Sequence, residues 1–167
     1  GFWIGRYELT GTTEKPTVKS GDVLTAAEAG NWYGLYKACQ NVIRNNTDVK
    51  STMIYGCQWD ETMSWLKNTE FKGREDKVDT DSSSWGNYGS SSPINTGSVS
   101  TYKANEIFDL AGNYFEWTQE AYSTNYRVLR GGGCDGSGLV YPGSDRDISL
   151  AFSFFGSYSA RVTLYIS

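Results

Sequence analysis

The 167-residue sequence contains no histidine. Without an imidazole, Ser-His-Asp and Cys-His nucleophile systems are excluded, and so are most zinc sites. Cysteine is scarce: Cys39, Cys57 and Cys134 cannot all pair, and no CxxC or Cys/His spacing exists to hold a metal. Cys39 and Cys57 lie in helical, apolar surroundings and are expected as buried free thiols. Cys134 lies in a polar, Gly-rich stretch and is expected in a loop. The apolar runs are far too short to span a bilayer. The chain opens on Gly1-Phe2-Trp3-Ile4 with no signal peptide and reads as a domain cut from something longer. There is no basic patch either. Residues 1 to 126 carry 11 basic and 16 acidic side chains and the remainder four Arg and three Asp, so nucleic acid is not an expected partner.

A more local absence is the most informative. Residues 127 to 167 contain no Lys, Glu, Gln, Met, Trp, Asn or His. The first five of these types supply 28 of the preceding 126 residues, so at that rate about nine would fall in the tail. What the tail does hold is seven Gly, seven Ser and an aromatic run of Phe152, Phe154, Phe155 and Tyr158. Small adaptable residues beside rigid rings, without long charged side chains, have the character of a binding loop. The tail therefore reads as a ligand-binding face and not a catalytic one.

The length suits one domain spanning residues 1 to 167, and the 15% aromatic content favours a loop-rich fold with a core built around rings. Phe2 to Leu9 alternates and reads as a strand. Thr10 to Gly21 reads as a loop. From Asn31 to about Arg44, Trp32, Leu35, Tyr36, Cys39, Val42 and Ile43 form one helical stripe. A second helix is predicted from about Gln58 to Lys67, with Trp59, Met63 and Leu66 inward and Asp60 and Glu61 in its first turn. A charged patch from Lys72 to Asp81 is followed by Ser82 to Pro93, which has no period and reads mostly as irregular surface pinned by Trp85. Strands are predicted at Tyr126 to Leu129 and Ala160 to Ile166, bracketing the tail. Few helices and short strands give an α+β class.

Candidate chemistry is thin. Asp60 with Glu61, and Glu116 with Glu120 at one helical turn, are carboxylate pairs of the kind that glycoside cleavage uses, but such pairs usually form a solvated helix face. Arg130-Gly131-Gly132-Gly133 lacks the context of a phosphate cradle and reads as a tight turn. Cys134 has no base or cation beside it in sequence.

Four passages carry a resemblance: Gly1-Phe2-Trp3-Ile4-Gly5-Arg6-Tyr7-Glu8-Leu9-Thr10; Gln58-Trp59-Asp60-Glu61-Thr62-Met63; Ile107-Phe108-Asp109-Leu110-Ala111-Gly112-Asn113-Tyr114-Phe115-Glu116-Trp117-Thr118; and Arg127-Val128-Leu129-Arg130-Gly131-Gly132. In this order they resemble the formylglycine-generating enzyme family, and they imply a loop-rich, C-type-lectin-like α+β fold with two main helices and short antiparallel strands. Enzymes of that family bind copper with two cysteines spaced as positions 134 and 139 are here. Position 139 is Leu139, so the oxidation chemistry does not carry over. The chain more closely resembles the non-enzymatic variable proteins of diversity-generating retroelements, in which reverse transcription randomises adenines in a C-terminal variable region. Randomised AAY codons cannot yield Lys, Glu, Gln, Met or Trp, the five types missing from 127 to 167.

That resemblance implies a division of the tail. Gly131, Gly132, Gly138, Pro142, Arg146, Gly156 and Arg161 would be scaffold. Gly133, Cys134, Asp135, Leu139, Val140, Tyr141, Asp145, Asp147, Ile148, Leu150, Phe152, Phe154, Phe155 and Tyr158 would be the diversified, ligand-binding set, unless the phenylalanines are core. It also implies a protein or glycan partner on another cell and a location on a bacterial surface or phage virion. No cofactor is expected, apart from calcium at Asn113 and Glu116, where enzymes of the fold bind it; the competing reading has Asn113 capping a turn and Glu116 pairing with an arginine. The alternative function is a copper-dependent oxidative enzyme of the formylglycine-generating type using Cys134.

Overall fold

A computed structural model describes residues 1 to 166; Ser167, the last residue of the predicted variable stretch, lies outside the described residues. Along the chain run β1 (Trp3–Ile4), β2 (Thr10–Gly11), β3 (Pro16–Thr17), α1 (Ala26–Ala29), α2 (Trp32–Gln40), β4 (Val49–Met53), α3 (Gly56–Asn68) and α4 (Asp76–Asp79). They are followed by β5 (Lys103–Ala104), β6 (Ile107–Phe108), β7 (Phe115–Ala121), β8 (Tyr126–Arg130), β9 (Arg146–Leu150), β10 (Tyr158–Ala160) and β11 (Val162–Ile166). The class is α+β. One sheet has the order β1-β11-β4 and pairs the first strand with the last, Trp3 opposite Leu164. A second sheet has the order β10-β7-β8-β9; β10 lies parallel to β7 and the other pairs are antiparallel.

The α2 helix follows from its stripe. Asn31 caps it by accepting from the backbone of Tyr33 and Gly34, and Trp32, Leu35 and Cys39 are buried. It ends at Gln40, short of the expected Arg44, because the Ser51 hydroxyl takes over. That hydroxyl donates to Gln40 O at 3.2 Å and accepts from Ile43 N at 2.9 Å. The α3 helix starts at Gly56, two residues earlier than expected, where the Gln58 amide oxygen accepts from Tyr55 N. Trp32, Leu35 and Trp117 belong to one core cluster, and Trp59, Met63, Leu66 and Trp85 to the other.

Several expectations are corrected. The strand over Phe2 to Leu9 is regular only at Trp3–Ile4, because the chain bends where Arg6 O accepts from Phe108 N and Tyr7 stacks on the Phe108 ring at 5.3 Å. Thr10 to Gly21 contains the β2-β3 hairpin. The charged patch contains the short helix α4, whose Lys77 O accepts from the buried Trp85 indole at 2.8 Å. Glu116 and Glu120 lie on β7, bonded to a strand on either side, and not on a helix face. Cys39 is buried as expected, whereas Cys57 at the start of α3 is exposed.

A buried charge network joins these elements. Arg161 is fully buried, and its guanidinium donates to both Glu116 oxygens at 2.5 to 3.1 Å and to the carbonyls of Gly5 and Phe108 at 2.9 Å. Glu8 and Asp109 lie close enough to feel the same charge. Glu8 accepts from the Asn113 amide at 2.7 Å and Asp109 from Thr96 and Gly97. Three carboxyls thus share one cation. Burial, then repulsion from Asp109 and Glu116, holds the Glu8 carboxyl well above the usual range, and burial also raises Asp109.

Two outcomes follow. Truncating Arg161 to Ala leaves Glu116 unpaired in the interior, and urea unfolding should show a loss of about 3–5 kcal/mol. The pH dependence has a definite sign. A carboxyl raised in the folded state binds its proton more tightly there than in the unfolded chain, so its contribution is fully present below the unfolded value, about 4. It is lost as pH rises through the folded value. Melting temperature measured from pH 4 to pH 8 should carry a downward term from Glu8 and Asp109, which Glu8→Gln reduces.

Candidate functional site

The site is built on the ends of β8, β9 and β10. After β8 the chain turns at Gly131 and Gly132, both at positive φ (82° and 78°). A Cβ on Gly131 would lie 2.8 Å from Leu110 O and one on Gly132 2.7 Å from the Tyr141 side chain, so both positions need glycine. The loop from 131 to 145 is then held by its main chain. Gly112 N donates to Gly131 O (2.8 Å), Cys134 N to Asn113 O (2.9 Å), Ser90 N to Cys134 O (2.9 Å), Gly89 N to Gly136 O (3.1 Å) and Ser82 N to Gly138 O (3.1 Å). Three side chains from outside the loop add to this grip. The Trp59 indole donates to Gly143 O at 2.9 Å, and the Ser82 hydroxyl accepts from Gly143 N at 2.8 Å. The Tyr88 hydroxyl lies 2.7 Å from Tyr141 O and 3.0 Å from Gly131 O.

The second loop, 151 to 157, is held in the same manner. Ala151 N donates to Asn125 O at 2.8 Å, Trp32 N to Ala151 O at 3.1 Å and Phe115 N to Ser157 O at 3.1 Å. The two loops meet over one ring. Phe115 on β7 makes edge contacts with Tyr141 at 5.5 Å and Tyr158 at 6.0 Å, and Tyr158 also meets Trp117 and Phe155.

Of the predicted diversified set, Asp135, Leu139, Val140, Ile148, Phe152, Phe154 and Phe155 are exposed; Leu139 is 67% and Phe154 71% accessible. Tyr141, Asp145, Asp147, Leu150 and Tyr158 are half-buried. Gly133 and Cys134 are buried: a Cβ on Gly133 would lie 2.7 Å from the Phe115 ring, and Cys134 is 3% accessible with its main chain bonded on both sides. Burial and the neighbouring Asp135 carboxylate push the Cys134 thiol up, which keeps it protonated. Among the scaffold positions, Gly138 packs on Ser83 N, Pro142 is buried and Arg161 anchors the core. Arg146 and Gly156 differ, because both are exposed; Arg146 pairs with Glu120 and nothing lies near where a Gly156 Cβ would be.

Burial pushes the Asp145 carboxyl up, with Arg130 only partly offsetting it. Arg130 itself is buried, pairs with Asp60 and lies over the Trp59 ring at 6.0 Å. Asn113 and Glu116 do not fit a calcium ion. The Asn113 oxygen accepts from Asn87 and Ile94, and both Glu116 oxygens accept from Arg161. Among the described residues no group of three or more His, Cys, Asp or Glu is placed to hold a metal. Sequence reasoning missed Phe115, Tyr88 and Ser82 as supports of the face. Phe115 lies inside a quoted motif, but no local signal links it to a loop 26 residues on.

No protein-family model matches the sequence, and no curated protein matches it. Solved structures do match in fold. The chain superposes on Treponema denticola variable protein 1 with a TM-score of 0.60 at 16% identity, covering 97% of this chain and 84% of that one. It superposes on PvdO from Pseudomonas aeruginosa with a TM-score of 0.64 at 10% identity, covering 98% and 80%. On the U1 variant of the Major Tropism Determinant the TM-score is 0.60 at 13% identity; all but 1% of this chain is covered, but only about half (51%) of that protein. The fold is C-type-lectin-like and is shared with these solved structures.

Substitutions separate support from display. Gly138→Ala forces a Cβ to 2.3 Å from Ser83 N and should cost about 1–3 kcal/mol in urea unfolding. Phe154→Ala should change stability by no more than about 0.5 kcal/mol. Tyr158→Ala, which the sequence alone places with Phe154, should cost about 1–2 kcal/mol because its ring meets three others.

Proposed function

We propose that the chain is a non-enzymatic ligand-binding domain, and that its diversified face comprises Asp135, Leu139, Val140, Tyr141, Asp145, Asp147, Ile148, Leu150, Phe152, Phe154, Phe155 and Tyr158. The observation that carries this reading is the separation of duties in the two loops. Their main chains are bonded to Ser82, Gly89, Ser90, Gly112, Asn113 and Asn125, while Leu139, Val140, Phe152 and Phe154 project outward. Outward side chains such as these four tolerate replacement, and exposed apolar residues in number mark an interaction site.

The partner is a protein or glycan on another cell, and the domain is displayed on a bacterial surface or a phage virion. Its gene is a substrate of a reverse-transcriptase system that rewrites adenines in the coding tail. In support, five residue types are missing from 127 to 167 and the fold is shared with a protein named as variable and another named as a tropism determinant. Extending those roles to this chain is part of the proposal. The coding locus tests it: a near-copy of the tail, differing at adenines and adjacent to a reverse transcriptase gene, is expected. A locus with no such copy, and sister genes varying no more in the tail than elsewhere, would sink the reading. The oxidative alternative gains ground only if the protein binds copper and loses an oxidase activity in Cys134→Ser.

A further inference from the structure

Away from the two loops, β1 and α3 form an open groove of about 420 Å³. That volume is within the range of small-molecule sites, roughly 300–1,000 Å³. Three aromatic side chains line it, Phe2, Trp3 and Trp65, with Ile4 and Ile107 as further apolar surface and Glu61 as the charged group. None of these residues belongs to the tail. Trp3 and Trp65 are 56% and 42% accessible, a large indole surface to leave in water. Among the described residues neither indole makes a ring contact, and the exposed part of each is open to a ligand.

Glu61 decides what that is. Glu61 and Trp65 are one turn apart on α3 and lie on one side of the helix. The adjacent Asp60 is matched by Arg130, but Glu61 has neither an ion-pair nor a hydrogen-bond partner among the described residues. A neutral apolar ligand would strip water from this carboxylate and offer nothing in return. A sugar would need several directional polar groups, whereas the remaining polar side chain, Thr62, already donates its hydroxyl to Gln58 O at 2.8 Å. A cation with an apolar shell satisfies both features: its alkyl groups lie on the rings, its charge is attracted to the ring faces and it compensates Glu61. We propose that the Phe2/Trp3/Trp65/Glu61 groove binds a quaternary or N-methylated ammonium group, separately from the ligand held by the loops.

The test uses the whole chain and choline chloride as the probe, with sodium chloride as the ionic-strength control and the uncharged tert-butyl analogue of choline for comparison. Heteronuclear NMR spectra report the indole N–H signals of Trp3 and Trp65. Both signals should shift and saturate with choline, and the uncharged analogue should bind about tenfold more weakly. Glu61→Gln should weaken choline about fivefold, and Trp65→Ala should abolish the Trp3 shift while the melting temperature stays near that of the parent. Because both positions are exposed, Glu61→Gln remains informative even if Trp65→Ala perturbs folding. Absence of any indole shift overturns the proposal, and so does equal binding of the uncharged analogue or indifference to Glu61→Gln.

Discussion

The Arg161–Glu116 pair is the interaction on which the architecture depends. A buried guanidinium is tolerable only when its N–H groups and its charge are both answered. Here the answer to Arg161, between β10 and β11, comes from three separated parts of the chain: Gly5 beside β1, Phe108 on β6 and Glu116 on β7. The Glu8 and Asp109 carboxyls lie around the same cation, and Asn113 links Glu8 to Asn87 and Ile94. Such a network specifies one arrangement because any shift leaves a charge unanswered. It also fixes β7, on which Phe115 adjoins Glu116, and so fixes the ring over which both loops meet.

Above this base, order and chemistry are assigned to different atoms. The loops owe their shape to amides and carbonyls, which every sequence possesses, and to glycines where a Cβ would collide. Each such bond contributes about 1 kcal/mol net, whereas exchange of an exposed side chain usually changes stability by about half that or less. The face can therefore change its chemistry without endangering its frame. Tyr141 and Tyr158 are intermediate cases, partly support and partly surface, because their rings also pack on Phe115.

The legible parts of the fold were those whose signal is local. The α2 stripe, α3 and the strands that become β8 and β11 each show their period within a dozen residues. The alternation of Phe2 to Leu9 misleads because Arg6 and Tyr7 are claimed by Phe108, a hundred residues away. Spacing alone could not tell a helix turn from a strand for Glu116 and Glu120, since residues four apart share a side in both. Exposure of the three phenylalanines was readable from composition, but the burial of Gly133 and Cys134 was not. It is set by Phe115, Asn113 and Ser90, none of them a sequence neighbour. Similarly, the polar run around Ser82 to Ser90 looked like solvent-facing filler, yet it is the bonding partner of the first loop.

The position of Arg161 after both loops bears on chains altered within them. Ribosomes make the loops first and the arginine afterwards, so a chain cut short or thrown out of frame anywhere between 131 and 158 never acquires the countercharge for Glu116. It also lacks β11, the strand that joins β1 to β4. Such a product cannot close its interior and is exposed to proteolysis. Completion of the fold thus serves as a reading-frame check on any chain altered between 131 and 158.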